Sequence, residues 1–169
     1  MVKKAALLAV LLSAFLPTVL AGPASAATST GTFVWISVKS GRCVDADLNT
    51  ILANGTKVQL WDCNHQAQQN WKSYTDGTIR SSKNGKCLDA DLNTINGNGT
   101  KVQLWDCNGQ PQQKWIVTGS STAATHRVIS RYNGRCIDAD LNTINGNGTK
   151  VQLWDCNGQP QQDWRTLYF

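Results

Sequence analysis

Glutamate is absent from this chain of 169 residues; all 11 acids are aspartate, and there are only two histidines, four prolines and one methionine. Each scarcity excludes a class of function. The run Asp45-x-Asp47-x-Asn49 begins like a calcium loop, but Thr50 stands where that loop needs glycine and Thr56 where it needs a bidentate glutamate. His65 and His126 occupy non-equivalent places, and no Gly-x-Ser-x-Gly occurs, so neither a metal centre nor a Ser-His-Asp device is expected. Both histidines are expected in exposed loops. The cysteines never stand as Cys-x-x-Cys, which argues against zinc. Lys and Arg are scattered singly, leaving no footprint for nucleic acid or heparin. No cofactor is called for.

Long apolar runs are absent after the first segment. Lys3 and Lys4, an apolar stretch from Ala5 to Leu20 broken by Ser13 and Pro17, and Ala24-Ser25-Ala26 read as a secretory signal over residues 1–26. That stretch is short for a membrane span of about 20 residues, so no membrane insertion is expected. The remainder, 27–169, reads as one secreted, extracellular domain and a monomer. Without Lys3 and Lys4 it carries 14 basic against 11 acidic residues, a net +3. Export places its six cysteines in an oxidising compartment.

What the chain does contain, it contains three times. Gly85–Trp115 returns as Gly134–Trp164 with only Arg135 for Lys86, Ile137 for Leu88 and Asp163 for Lys114, and more loosely as Gly41–Trp71. Repeats of about 32–75, 76–118 and 119–169 follow, each too small to bury a core alone. Cys43 and Cys63, Cys87 and Cys107, and Cys136 and Cys156 stand at one constant spacing. Many pairings are open to six cysteines, and repeat symmetry favours closing each repeat on itself. Short Val/Ile/Leu/Trp segments between Asn-Gly and Asp-Gly pairs predict an all-β barrel or sandwich of short strands.

Strand alternation puts Val58 and Leu60 on one face and Gln59, Trp61 and Cys63 on the other, and sets Cys43, Asp45 and Asp47 opposite Val44, Ala46 and Leu48. If Cys43 lies directly across from Cys63, paired residue numbers sum to 106, so Asp45 faces Trp61 and Asp47 faces Gln59. Asn54-Gly55, Asn98-Gly99 and Asn147-Gly148 then read as tight hairpin turns, a reading preferred over the Asn-Gly-Thr glycosylation sequons they also form. An acid, an amide and an indole on one face suit a sugar, whose C–H face stacks on a ring while its hydroxyls donate to carboxylate and accept from amide. A second tryptophan per repeat, Trp71, Trp115 or Trp164, is available for the core. Asp45 and Asp47 project from the same strand face, too close together to flank a glycosidic bond, so binding without catalysis is the expectation.

The order Cys-hydrophobic-Asp, Asn-Gly, Val-Gln-Leu-Trp-Asp-Cys and Gln-x-Trp (Gln69-Asn70-Trp71, Gln113-Lys114-Trp115, Gln162-Asp163-Trp164) resembles the ricin B-type lectin family. The resemblance implies a β-trefoil of twelve strands, six in a barrel and six in three capping hairpins, with one shallow sugar pocket per repeat. It implies that the pocket acid is Asp45, Asp89 or Asp138, the ring platform Trp61, Trp105 or Trp154, and the strand amide Gln59, Gln103 or Gln152. The polar pair closing each pocket would be Gln68 and Gln69, Gln112 and Gln113, or Gln161 and Gln162, where the family usually has Asn first. The partner implied is an oligo- or polysaccharide bound multivalently, either galactosides or plant-wall polymers such as xylan or arabinan. A module accompanying a glycoside hydrolase, or a trefoil protease inhibitor, are the alternative readings. Repeat 1 is the expected exception among the pockets, because Leu52-Ala53 and His65-Gln66-Ala67 replace the residues of its sisters.

Overall fold

The computed structural model describes residues 26–119 and 124–169. The expected signal segment lies, but for its last residue, outside them. Repeat 1 folds as β1 (Ser29–Ser37), β2 (Cys43–Ala46), β3 (Thr56–Trp61) and β4 (Asn70–Tyr74). Repeat 2 supplies β5 (Ile79–Ser81), β6 (Cys87–Ala90), β7 (Thr100–Trp105) and β8 (Trp115–Val117). Repeat 3 supplies β9 (Val128–Ser130), β10 (Cys136–Ala139), β11 (Thr149–Trp154) and β12 (Trp164–Tyr168). A short 3₁₀ turn precedes the last strand of each repeat, at Ala67–Gln69, Pro111–Gln113 and Pro160–Gln162.

The first and last strands of the repeats build the barrel wall. β1 pairs with β12 and β4, β4 with β5, and β8 with β9. Trp115 N donates to Gly77 O at 2.9 Å between the β5 and β8 sides, and a bridge joins His126 to Trp164 beside β12. The middle strands form hairpins β2–β3, β6–β7 and β10–β11. β3, β7 and β11 then pair cyclically, with Lys57 opposite Gln103, Lys101 opposite Gln152 and Lys150 opposite Gln59. Three equivalent hairpins closing one end of a six-stranded barrel make this an all-β β-trefoil.

One apolar cluster fills it. Trp71, Trp115 and Trp164 are buried with Phe33, Trp35, Ile79 and Val128, while Val58, Val102 and Val151 point inward from the hairpins. A buried indole N–H needs an acceptor; these donate to Val44 O (3.1 Å), Leu88 O (3.1 Å) and Ile137 O (3.3 Å). Each acceptor immediately precedes the aspartate singled out above, so the core tryptophan anchors the strand carrying that acid. The three disulfides join Cys43–Cys63, Cys87–Cys107 and Cys136–Cys156, each with Cα atoms 5.1 Å apart.

Four expectations are corrected. Cys43 lies opposite Trp61, not Cys63, so Asp45 faces Gln59 rather than Trp61; numbers sum to 104, and repeats 2 and 3 show the same offset. A disulfide requires only that two Cα atoms come within about 4.4–6.8 Å, and Cys63, two residues past the end of β3, meets that diagonally. Because the offset is two residues, every side chain stays on its assigned face. Asp47, expected opposite Gln59, instead lies beyond β2 in a turn, its Oδ1 accepting from Asn49 N (3.0 Å) and Nδ2 (2.9 Å).

The Asn-Gly pairs are not two-residue hairpin turns. The β2–β3 connection runs over 47–55, and only the glycine is left-handed (Gly55, φ 85°), whereas a tight type I′ turn needs both residues so. Asn54, Asn98 and Asn147 spend their side chains on the neighbouring repeat instead. Leu48, placed by alternation with Val44 and Ala46, is exposed because the strand has already ended, as are its equivalents Leu92 and Leu141. His65 is exposed as expected, but His126 is half-buried against Trp35, with Thr166 Oγ1 3.0 Å from its Nε2, and burial pushes its pKa below the usual histidine value.

Candidate functional site: three acid, amide and indole pockets

On the outer face of each hairpin is a depression built from the residues that alternation turned away from the core. In repeat 1 its wall includes Asp45, Gln59, Trp61, Asn64 and Gln68, enclosing about 280 Å³. The equivalents in repeats 2 and 3 are Asp89, Gln103, Trp105, Asn108 and Gln112, and Asp138, Gln152, Trp154, Asn157 and Gln161, enclosing about 270 and 350 Å³. Trp61, Trp105 and Trp154 are each 39% exposed, against at most 3% for the core tryptophans. The division of labour between the two tryptophans of a repeat is therefore real.

The aspartate is the floor. Asp45, Asp89 and Asp138 are each only 4% exposed, yet hydrogen-bonded on both oxygens. In repeat 2 Gln103 Nε2 donates to Asp89 Oδ1 (3.1 Å) and Gln113 Nε2 to Oδ2 (3.0 Å). The same pairs in repeat 1 measure 3.2 and 3.1 Å, and in repeat 3 they measure 3.1 and 3.0 Å. A carboxylate has about four acceptor positions, so two amide donors leave capacity for ligand hydroxyls. Burial raises the pKa of all three acids; the amide hydrogen bonds oppose that shift, and the neighbouring Asp47, Asp91 or Asp140 carboxylate adds to it.

Of each expected closing pair only the first residue reaches the pocket. Gln68, Gln112 and Gln161 line it, whereas Gln69, Gln113 and Gln162 lie behind the acid. Gln113 Nε2 spends its second proton on Asp106 O (3.0 Å), and its Oε1 accepts from Asn108 N (2.8 Å). The buried glutamine thus holds the aspartate and stands outside the pocket wall. The reason lies in the 3₁₀ turn, which rotates successive side chains to different sides.

Three contributors escaped sequence reasoning: Asn64, Asn108 and Asn157 after the second cysteine; Asn49, Asn93 and Asn142; and the exposed leucines at the lip. Their signal was identical recurrence, since Asp-Leu-Asn-Thr and Asp-Cys-Asn occur in all three repeats. The pocket of repeat 1 keeps the full set, and the residues that distinguish that repeat lie off its wall. His65 takes the left-handed φ of 60° used by Gly109 and Gly158, and lines a separate, more apolar cavity of about 490 Å³ with Val34, Ile36, Leu167 and Phe169.

Each pocket thus offers a half-exposed ring and two carboxylates, one of them desolvated, with amides alongside and no cation among its lining residues. A model of the ricin-type β-trefoil lectin domain matches residues 32–164. The chain belongs to that lectin family. Among solved structures, the designed threefold-symmetric protein ThreeFoil superposes with a TM-score of 0.74 at 20% identity, over 82% of this chain and 99% of that one. The ricin B-like lectin of Macrolepiota procera, solved with lactose, gives 0.67 at 18% identity, over 84% and 98%. The C-half of the earthworm R-type lectin, solved with GalNAc, gives 0.64 at 22% identity, over 82% and 99%. These likenesses establish the trefoil fold of this lectin-family chain. No curated protein matches it significantly.

Proposed function

We propose that the protein is a secreted, non-catalytic carbohydrate-binding lectin with three usable pockets, taking galactosides or plant-wall polysaccharides such as xylan or arabinan. The observation carrying this reading is the threefold recurrence of one geometry: a buried aspartate bridged by two glutamine amides beside a half-exposed tryptophan. A sugar ring stacks its C–H face on the indole while vicinal hydroxyls donate to the free acceptor positions of the carboxylate. Family membership supports the same reading, and the lactose and GalNAc carried by two structural relatives favour galactosides as the first compounds to test. The intact disulfides accord with export. Catalysis is disfavoured because Asp45 and the other carboxylate, Asp47, line one pocket from neighbouring positions of the chain, with Asp47 held in its own turn, and so do not flank a scissile bond.

Each shallow pocket should be weak, about millimolar, or about 4 kcal/mol. A polymer spanning several pockets gains roughly 10²-fold in avidity. A glycan array identifies the sugar; calorimetry on Asp45→Ala, Asp89→Ala and Asp138→Ala then removes one site at a time, and the triple variant stays folded but loses polymer binding. Loss of all binding from one single substitution would show that only one pocket works. No response to any glycan by the folded protein would reject the lectin reading.

A further inference from the structure

The Asn-Gly pair of each repeat is spent on the pocket of the next one. Trp105 in repeat 2 is gripped on both sides by repeat 1: Gly55 N donates to Leu104 O (2.8 Å), just before the tryptophan, and Asp106 N, just after it, donates to Asn54 Oδ1 (2.8 Å). Asn54 Nδ2 also donates to Asp106 Oδ2 (2.8 Å), and Lys86 Nζ donates to Asn54 Oδ1 (2.9 Å), so the amide makes three hydrogen bonds, all to repeat 2. The path continues inward. Asp106 O accepts from Gln113 Nε2 (3.0 Å), and the same nitrogen donates to Asp89 Oδ2 (3.0 Å). Two hydrogen-bonded residues therefore separate Asn54 of one repeat from the acid on the pocket floor of the next.

Glycine is required beside the asparagine. Gly55 has φ 85°, its carbonyl accepts from Lys101 Nζ (2.7 Å), and a Cβ there would stand 3.7 Å from Gln103 Oε1 and 3.9 Å from Trp105 Cζ3. Its Cα thus abuts both the amide and the ring of the neighbouring pocket. The arrangement is cyclic. Asn98 accepts from Asp155 N (2.8 Å) behind Trp154, and Asn147 accepts from Asp62 N (2.8 Å) behind Trp61, with Gly99 N and Gly148 N donating to Leu153 O and Leu60 O (both 2.8 Å). Thus the last repeat supports the pocket of the first.

We propose that Asn54, Asn98 and Asn147 are positioning residues acting across the repeat boundary, each setting the tryptophan and aspartate of the following pocket and not of its own. The three asparagines are exposed, so their hold comes from the several hydrogen bonds each makes to one strand end, and a support shell misplaced by a fraction of an ångström loosens a site without abolishing it. For binding, the inference rests on the lectin reading. For geometry it does not.

The test is therefore double. With a double Asp45→Ala, Asp138→Ala background leaving only pocket 2, Asn54→Ala should weaken polysaccharide binding about tenfold, and with only pocket 3 or pocket 1 retained the sensitive residue should become Asn98 or Asn147. Without any ligand, nitrogen-15 NMR of the single variant Asn54→Ala should shift the indole N–H of Trp105 and the side-chain amide of Gln113 while those of Trp61 and Gln69 stay in place. Lys101→Met, which removes only the donor to the Gly55 carbonyl, provides the same readout at smaller amplitude if Asn54→Ala folds poorly. Shifts confined to Trp61 and Gln69, or spread evenly over three repeats, overturn the proposal. If no variant or parent binds any glycan while the cross-repeat NMR pattern holds, the positioning stands and the lectin reading falls.

Discussion

Trp115→Ala and Trp105→Ala remove the same side chain from strand-end positions of one repeat, and the structure assigns them different consequences. Trp115 is 3% exposed in the barrel core, and its indole N–H is the donor to Leu88 O. Truncation loses the transfer free energy of the ring and leaves a cavity, about 3–5 kcal/mol, and strips a buried carbonyl of its partner. Against a total of about 5–15 kcal/mol for a domain, that is a large fraction; at about 2–4 °C per kcal/mol for this size class, the melting temperature falls by on the order of 10 °C. Trp105 keeps 39% of its surface in water and its outer face in the pocket. Truncation there costs about 1–2 kcal/mol, from the buried flank beside Gly55, but deletes the stacking platform. The assay is paired: thermal melts by circular dichroism with disulfides intact, and calorimetry with the polysaccharide identified by array. Trp115→Ala is expected to melt early and, below its transition, to retain all three sites, with the site beside Leu88 weakened. Trp105→Ala is expected to melt near the parent and lose one site. Equal destabilisation by the two substitutions would refute the assignment of one tryptophan to core and the other to pocket.

Further outcomes follow from the charges and the disulfides. Burial raises the pKa of Asp45, Asp89 and Asp138 above 3.8, so the folded chain takes up these protons before the unfolded one does; their burial penalty is present at neutral pH and relieved as pH falls through the folded pKa towards 3.8. Binding should run the other way, because a protonated carboxyl loses acceptor capacity, and polymer affinity titrated from pH 7 to pH 3 should show a midpoint above 3.8; a lower midpoint sinks the role given to these acids. Asp76 is the opposite case: burial acts to raise its pKa, but Thr78 Oγ1 and N and the Lys114 ammonium outweigh that and pull it down to about 2. Its contribution is present above 3.8 and lost as pH falls through about 2, so Asp76→Asn should cost about 1 kcal/mol at pH 7, after allowance for its solvent exposure, and nothing below pH 2, as read by urea denaturation. Replacing Cys87 and Cys107 together by serine should cost about 3 kcal/mol and weaken the Asp89 pocket, since the bridge fastens the strand that carries the acid; unchanged stability would show that the loop it closes is already ordered when unfolded.

Alternation of side chains, the constant cysteine spacing and the repetition of Gln-x-Trp were enough to read the all-β class, the three disulfides, the core tryptophans and the strand residues turned away from the core, because strand periodicity and repeat symmetry are properties that the chain states directly. Parity survived even where register did not: Asp45 meets Gln59 rather than Trp61, two residues away, since a disulfide constrains a distance and not a ladder. The 3₁₀ turn decided that Gln69 stands behind the acid and Gln68 in the pocket wall, a rotation that adjacent identical letters do not reveal. The use of Asn54, Asn98 and Asn147 was the least legible. Their partners Asp106, Asp155 and Asp62 lie 52, 57 and 85 residues away, and contacts between distant segments exist only once three hairpins have closed on one axis. Sequence thus determined which side chains face outward and in what sets, while tertiary closure decided which repeat holds each set in place.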